Sequence, residues 1–279
     1  MKPKDLDCAL IITTYNWPEA LNLVLNSATQ QTIHPKQILI ADDGSDHKTL
    51  SLIDEWKRNQ PAIVHCWQSD EGFRAARSRN NALSLVSTDY VILIDGDMVL
   101  APNFIEDHLH AAQSGSFIQG RRAIATEKAT KRLLQEDNWR WDHEQLKHSV
   151  RAPHKLLRNK FLAKLLSYKQ RNAKDIRSCN MSFWTEDIEA INGFDSDYVG
   201  WGREDSDMAQ RLINYGLTKR HLRYGAVALH LHHIEQSRQA LPENDRRLHS
   251  AINNKHYTRC KNGLCLLYTS DAADERSWG

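Results

Sequence analysis

Short apolar, β-branched runs alternate with longer amphipathic stretches through the opening third of the chain, a pattern that predicts strands joined by crossover helices. The strands fall at 9–13, 37–41, 62–67 and 90–94, and the helices between them at 18–30, 48–59 and 75–86. Pro18 suits a first helical turn, where a missing N–H costs nothing. Right-handed crossovers turn a βαβαβαβ order into a mostly parallel sheet covered on both faces, and such sheets bind ligands beyond the carboxyl ends of their strands. Polar residues gather at those ends. Thr13, Thr14, Tyr15 and Asn16 follow the first strand, Asp42, Asp43, Gly44 and Ser45 the second, and Asp95, Gly96 and Asp97 the fourth.

From 121 to 177 the alternation stops. Residues 147–177 carry ten Lys/Arg against one acid, Asp175, with Leu156, Leu157, Phe161, Leu162, Leu165 and Leu166 at helical spacing. This predicts a basic amphipathic helix, suited either to an anionic membrane surface or to a solvated face over a packed helix. Pattern returns with a strand at 180–184, a turn at Asn192 and Gly193, and the acidic run Trp201, Gly202, Arg203, Glu204, Asp205, Ser206, Asp207. A helix over 207–215 stops at Gly216, and a strand over 226–231 leads into His230, His232 and His233. The plain structural role for Asp205 or Ser206 is to cap that helix, worth about 1 kcal/mol. Beyond 260 no pattern continues, and 261–279 reads as a loose tail that need not be native coding sequence.

The 279 residues, 41% hydrophobic and 26% charged, exclude fibrous, coiled-coil and disordered classes and suffice to bury a core without staples. A balance of 37 Lys+Arg against 35 Asp+Glu leaves +2, so the overall field gives no reason to expect a nucleic-acid partner. The five cysteines are scattered, and the closest pair, Cys260 and Cys265, lacks the further ligands zinc needs, so reduced thiols are expected. No apolar run reaches the roughly 18 residues of a membrane span, and the polar N-terminus has no signal-peptide core. The expected location is the cytoplasm, peripheral at the inner membrane face if 147–177 touches lipid.

No Gly-x-Gly-x-x-Gly follows the first strand and no Gly-Lys-Ser/Thr loop occurs, so phosphates have no glycine cradle. A bound nucleotide diphosphate would then need side chains or a divalent metal. Asp95 and Asp97 at a strand end offer hard oxygen ligands for Mg²⁺ or Mn²⁺, although two acids flanking a glycine also suit a polar turn.

Thr13 to Asn16, Asp42 to Ser45, the helix bearing Arg77, Arg79, Asn80 and Ala82, and then Asp95 to Asp97 together resemble family 2 glycosyltransferases of the GT-A fold. The segments Asn180 to Ser182, Asn192 to Phe194 and Trp201 to Asp205 are similar to the acceptor half shared by β-1,4-galactosyltransferases and bacterial chondroitin-type polymerases. Two positions depart from that pattern: Val199 replaces a tryptophan, and Arg203 stands where glycine is frequent. The resemblance spans roughly residues 8–233.

It implies an α/β GT-A domain with a Rossmann-like sheet and a smaller acceptor-side subregion. Residues 1–120 would be the nucleotide-sugar-binding half, 121–177 a basic helical insert and 178–260 the acceptor half. The implied activity is inverting transfer of a hexose or N-acetylhexosamine from a nucleotide sugar, typically a UDP-sugar, with Mn²⁺ or Mg²⁺. The acceptor would be a glycan or lipid-linked glycan in surface polysaccharide or lipopolysaccharide synthesis. By the same match Thr13, Tyr15, Asn16 and Asp43 hold the nucleoside, Arg79 approaches the diphosphate, and Asp95 and Asp97 serve ribose and metal. His230, or its rival His232, completes the metal shell. Asp205 is the base that takes the acceptor proton, Glu204 orients the acceptor, Trp201 gives a sugar platform and Asn180 joins the acceptor site. Two other readings remain at this stage. A haloacid-dehalogenase-like phosphatase also places Asp-x-Asp after a strand, and a non-catalytic glycan-binding protein could keep the same fold.

Overall fold

The computed structural model describes residues 6–136, 139–234 and 237–264. The chain opens with β1 (Cys8–Thr14), α1 (Pro18–Thr29), β2 (Gln37–Asp42), α2 (His47–Asn59), β3 (Ile63–Trp67), α3 (Ala75–Leu83) and β4 (Tyr90–Asp95). Every element predicted there forms, with ends inside one turn of those expected. Next come β5 (Met98–Leu100), α4 (Phe104–Ala111), β6 (Ser116–Gln119), β7 (Ala123–Ile124), α5 (Glu127–Leu133) and α6 (His143–Lys147). A 3₁₀ turn (Pro153–Leu156), α7 (Lys160–Leu166) and β8 (Tyr168–Gln170) complete the middle of the chain. The final part supplies β9 (Asn180–Trp184), α8 (Thr185–Ala190), α9 (Glu204–Asn214), β10 (Thr218–His221), β11 (Ala228–His230) and α10 (Leu241–Asn253).

The main sheet has the order β3-β2-β1-β4-β9-β6-β10-β8. Neighbours β3, β2, β1 and β4 are parallel, β9 is antiparallel to both β4 and β6, and β10 runs parallel to β6. A small second sheet, β5-β11-β7, sits at the carboxyl end of β4. The apolar runs are continuous because both sheet faces are covered, and the pleat sends alternate residues to opposite faces. Leu10, Ile12, Ile38, Ile40, Ile92 and Ile94 pack on one side with α1, whereas Ala9, Ile11, Leu39, Val91 and Leu93 pack on the other with α9.

One backbone contact holds the loop after β2 in place. Gly44 has φ +94°, and a Cβ there would lie 2.5 Å from Asp70 Cα. Gly44→Ala therefore combines a left-handed backbone penalty with a clash against main chain. The expected loss is about 3 kcal/mol, or roughly 10 °C in Tm by thermal unfolding, and a shift under a degree or so would contradict the packing read here.

Two expectations change. The basic stretch 147–177 is not one helix: Pro153 opens a 3₁₀ turn, Asn159 caps a new start by accepting from Leu162 N, and α7 is short. The 121–177 and 178–260 segments both contribute to the main sheet, with β9 between β4 and β6 and β8 at the sheet edge. Leu264, placed in the loose tail by sequence, is buried against the α9 side, with its N–H donated to Asn192 O. Residues 265–279, including Cys265, lie outside the described residues. The other four cysteines are buried thiols. Among the described residues no helix is long and apolar enough to cross a membrane.

Candidate active site

Strand register aligns the polar ends. Thr13 lies beside Asp95 and Thr14 beside Asp42, so the carboxyl ends of β1, β2 and β4 form one rim. Asn16 adopts φ +46° in the turn after β1, its N–H donated to Ser45 Oγ and its side-chain oxygen accepting from Asp46 N. Tyr15 is exposed and donates to Asp70 Oδ2 at 2.9 Å. Asp43 is buried and accepts from Gln68 Nε2 at 2.6 Å and from Arg74 N at 2.8 Å. Burial pushes its carboxyl up to about 6 even though those donors and Arg79 pull it down.

Arg79 on α3 ties the two halves of the site together. It is 4% exposed; Nε donates to Thr13 Oγ1 at 3.1 Å, Nη1 to Glu204 Oε1 at 2.9 Å and Nη2 to Asp95 Oδ1 at 3.2 Å. The guanidinium also lies 5.4 Å from the Phe194 ring centre. Burial opposes its charge, but the fields of Glu204 and Asp95 outweigh burial and hold it ionised. An Arg79 so engaged braces the rim, with three of its five N–H donors bonded to protein where the sequence led to an expectation of a diphosphate contact. Asp95, itself pushed up to about 6 by burial, is likewise held by this contact.

Beside it, Asp97, His230 and His233 bring one ligand atom each within 4.8 Å of one another. Asp97 Oδ2 lies 3.1 Å from His233 Nε2 and 3.5 Å from His230 Nε2. Burial would raise Asp97, yet the two imidazoles win and its carboxyl is held below the usual range. Asp97 Oδ1 and His230 Nδ1 are buried without hydrogen-bond partners among the described residues. One carboxylate and two imidazoles suit Mn²⁺ better than an all-oxygen Mg²⁺ shell, and the orphaned atoms fit that reading. His230 belongs to this cluster, and the second imidazole in it is His233 where His232 was the expected rival. β11 ends at His230, so strand alternation lapses and the next residue brought to Asp97 is His233. His232 instead donates its backbone N–H to Thr130 Oγ1, and its side chain lies near Glu127.

The helix bearing the acids starts three residues before its expected position, so Glu204 and Asp205 occupy the first turn of α9. Neither Asp205 nor Ser206 is the cap; Arg203 holds that position with φ +82° and makes no side-chain capping bond. That left-handed backbone accounts physically for a glycine preference at the position. Glu204 Oε2 is buried and has no hydrogen-bond partner among the described residues. Asp205 Oδ2 accepts from Ser178 N at 3.0 Å and Oδ1 from Ser206 Oγ at 3.2 Å. Burial, then the adjacent Glu204, push the Asp205 carboxyl up to about 6 against the pull of Arg79. Trp201 is partly exposed, with the Arg238 guanidinium 5.4 Å from its ring centre.

Asn180, expected in the acceptor site, is enclosed by protein partners. At 1% exposure its amide donates to Arg121 O and Ala226 O, and its oxygen meets His108 Nε2 at 2.9 Å, so it is a structural brace. Arg122, which sequence patterning did not single out, comes into reach of Asp95 and Asp97 because β7 pairs with β11 just after it. Its Nη1 lies 3.1 Å from Cys179 Sγ, and its Nε is buried without a partner. Burial and the like charges of Arg121, Arg177 and Arg122 hold Lys155 below the ordinary lysine range.

A doubly covered, mostly parallel sheet with carboxylates and imidazoles gathered at its strand ends defines a GT-A glycosyltransferase fold. The GalNAc-T7 structure with UDP, GalNAc and Mn²⁺ superposes with a TM-score of 0.62 at 14% identity, covering 88% of this chain and 48% of that one. TarS 1-349 of S. aureus with UDP gives 0.59 at 17% identity, covering 89% and 66%. Residues 9–176 match the glycosyl transferase family 2 model, and 161–234 match the N-terminal domain of galactosyltransferase. The chain belongs to glycosyl transferase family 2. Chondroitin synthase of Escherichia coli is 24% identical over 237 residues, 80% of this chain and 34% of that protein. The chain spans between 11% and 52% of the length of the first curated relatives it matches. This membership disfavours the phosphatase reading, in which Asp95 would be a free nucleophile and not an arginine-bound brace.

Proposed function

We propose that this chain transfers a hexose or N-acetylhexosamine from a UDP-sugar to a glycan hydroxyl with inversion at the anomeric carbon, using a divalent metal. The observation that carries this reading is the Asp95–Arg79–Glu204 bridge, which holds the Asp97–His230–His233 cluster and the Glu204–Asp205 pair on one rim. The GalNAc-T7 and TarS structures were both obtained with UDP, which supports the donor class. Membership of a family containing polysaccharide synthases supports a glycan or lipid-linked glycan acceptor, met at the cytoplasmic face of the membrane.

In this mechanism Thr13, Tyr15, Asn16 and Asp43 line the nucleoside side of the rim, and Asp95 faces the ribose. Asp97, His230 and His233 would hold Mn²⁺, or Mg²⁺ less favourably; when bound, such an ion neutralises the departing diphosphate. Arg122, with an unsatisfied Nε beside these acids, supplies the diphosphate cation that Arg79 does not. Glu204 Oε2 accepts from an acceptor hydroxyl, Trp201 stacks a sugar face, and Asp205 takes the proton as that hydroxyl attacks.

A thermal-shift screen of nucleotide sugars with and without Mn²⁺ tests the reading. Stabilisation by UDP and by one UDP-sugar only when Mn²⁺ is present is expected. Indifference to every nucleotide, or phosphate release from a generic phosphoester, would overturn it.

A further inference from the structure

Helix α7 turns Phe161 and Leu165 outward and packs only Ala163 against the core. A surface helix normally turns its apolar stripe to the core, yet none of the α7 side chains is buried. Phe161 is 73% exposed and Leu165, one turn on, 66%; Leu157, Leu166 and Tyr168, close by in the chain, are exposed too. The segment is nevertheless framed firmly. Arg158 donates to Asp107 Oδ1 at 2.7 Å, Asn159 N to Tyr224 O at 2.9 Å and Arg223 N to Ser167 Oγ at 3.1 Å, while Tyr168 stacks on His221 at 4.8 Å.

Charge says what covers this patch. Between Leu157 and Lys174 there is no acid, and Lys164, Lys169 and Arg171 make no ion pair among the described residues, whereas Arg158 and Lys160 are paired to Asp107 and Glu106. A second copy seated on the patch would face its own cations. An anionic lipid surface offers both an apolar interior and opposite charge.

We propose that α7 and its flanks dock this chain on an anionic phospholipid surface, with Leu157, Phe161 and Leu165 entering the interface and Lys164, Lys169 and Arg171 meeting the headgroups. This stands independently of the transferase reading. The docking segment begins two residues after Lys155, which lies among the arginines at the rim of the candidate site, so a docked bilayer and the site share one stretch of chain.

Flotation of the 279-residue chain with phosphatidylcholine vesicles, with and without phosphatidylglycerol, tests the proposal. Binding only to the anionic vesicles, released by salt, is expected. Phe161→Asp with Leu165→Asp should lower the partition coefficient at least about tenfold, and Lys164→Gln, Lys169→Gln or Arg171→Gln about fivefold per charge. Both sets should keep the wild-type circular dichroism spectrum, which separates lost docking from lost folding. Absence of binding to anionic vesicles, equal binding to neutral ones, or binding undiminished in the Phe161/Leu165 variant would overturn the proposal. So would a dimer in sedimentation that this variant dissociates, because the patch would then belong to a second copy.

Discussion

Asp205→Asn is expected to lower kcat by at least about a thousandfold while leaving UDP affinity within a factor of about two. Asparagine keeps the shape of the side chain, and its oxygen can still accept from Ser178 N, so the first turn of α9 stays in place. What it lacks is the ability to take a proton from the attacking hydroxyl. The wild-type pH profile carries the same signature. Because burial and Glu204 raise the Asp205 carboxyl to about 6, the base is protonated and idle below that pH, and turnover should climb as pH rises through about 6 before levelling. Glu204→Gln removes a like charge beside Asp205 and should move this acid limb to lower pH, whatever it does to acceptor binding. Initial rates across pH with the donor identified by the thermal screen make the measurement. Turnover of Asp205→Asn within tenfold of wild type would remove the base assignment.

Asp97→Asn and His233→Ala should each abolish metal-dependent nucleotide binding, whereas His232→Ala should preserve it. With UDP and Mn²⁺ near 100 times the dissociation constant, the wild type gains about 2.7 kcal/mol, roughly 5–10 °C in Tm. A chelator should erase that gain, and the two variants should never show it. The histidine contrast is the sharper part. His233 Nε2 lies 3.1 Å from Asp97 Oδ2, while the His232 backbone N–H is donated to Thr130 Oγ1 and its side chain lies near Glu127, so a ligand assignment by sequence proximity alone cannot separate them. An unchanged shift in His233→Ala, or a lost one in His232→Ala, would show that the cluster is not the metal site.

These outcomes follow from contacts between residues far apart in the chain. Arg79 shows the difference most clearly: the sequence places it on a helix near the strand ends, where a free guanidinium would suit a diphosphate. Folding brings Glu204 from 125 residues away onto the same guanidinium, so that three of its five N–H donors are bonded within the protein. Asn180 is a similar case, since a polar residue opening a strand gives no sign that His108, Arg121 and Ala226 will consume its amide. Arg122 carried no readable signal. Only the pairing of two-residue β7 with β11 sets it beside Asp95 and Asp97, and a strand that short leaves no periodicity to detect.

By itself the sequence determined the βαβαβαβ half, the carboxylates at its strand ends and the Glu204–Asp205 pair, because hydrophobic periodicity and strand-end polarity are local properties written residue by residue. Tertiary structure alone decided which imidazoles meet Asp97, which acids share Arg79, and which way the apolar side of α7 faces. Those outcomes depend on where β11 ends, on ion pairs closed across the sheet, and on a proline and a cap that break one basic stretch into short pieces. Such long-range partners compete for the same donors and acceptors, and the chain order of the residues does not reveal which partner wins.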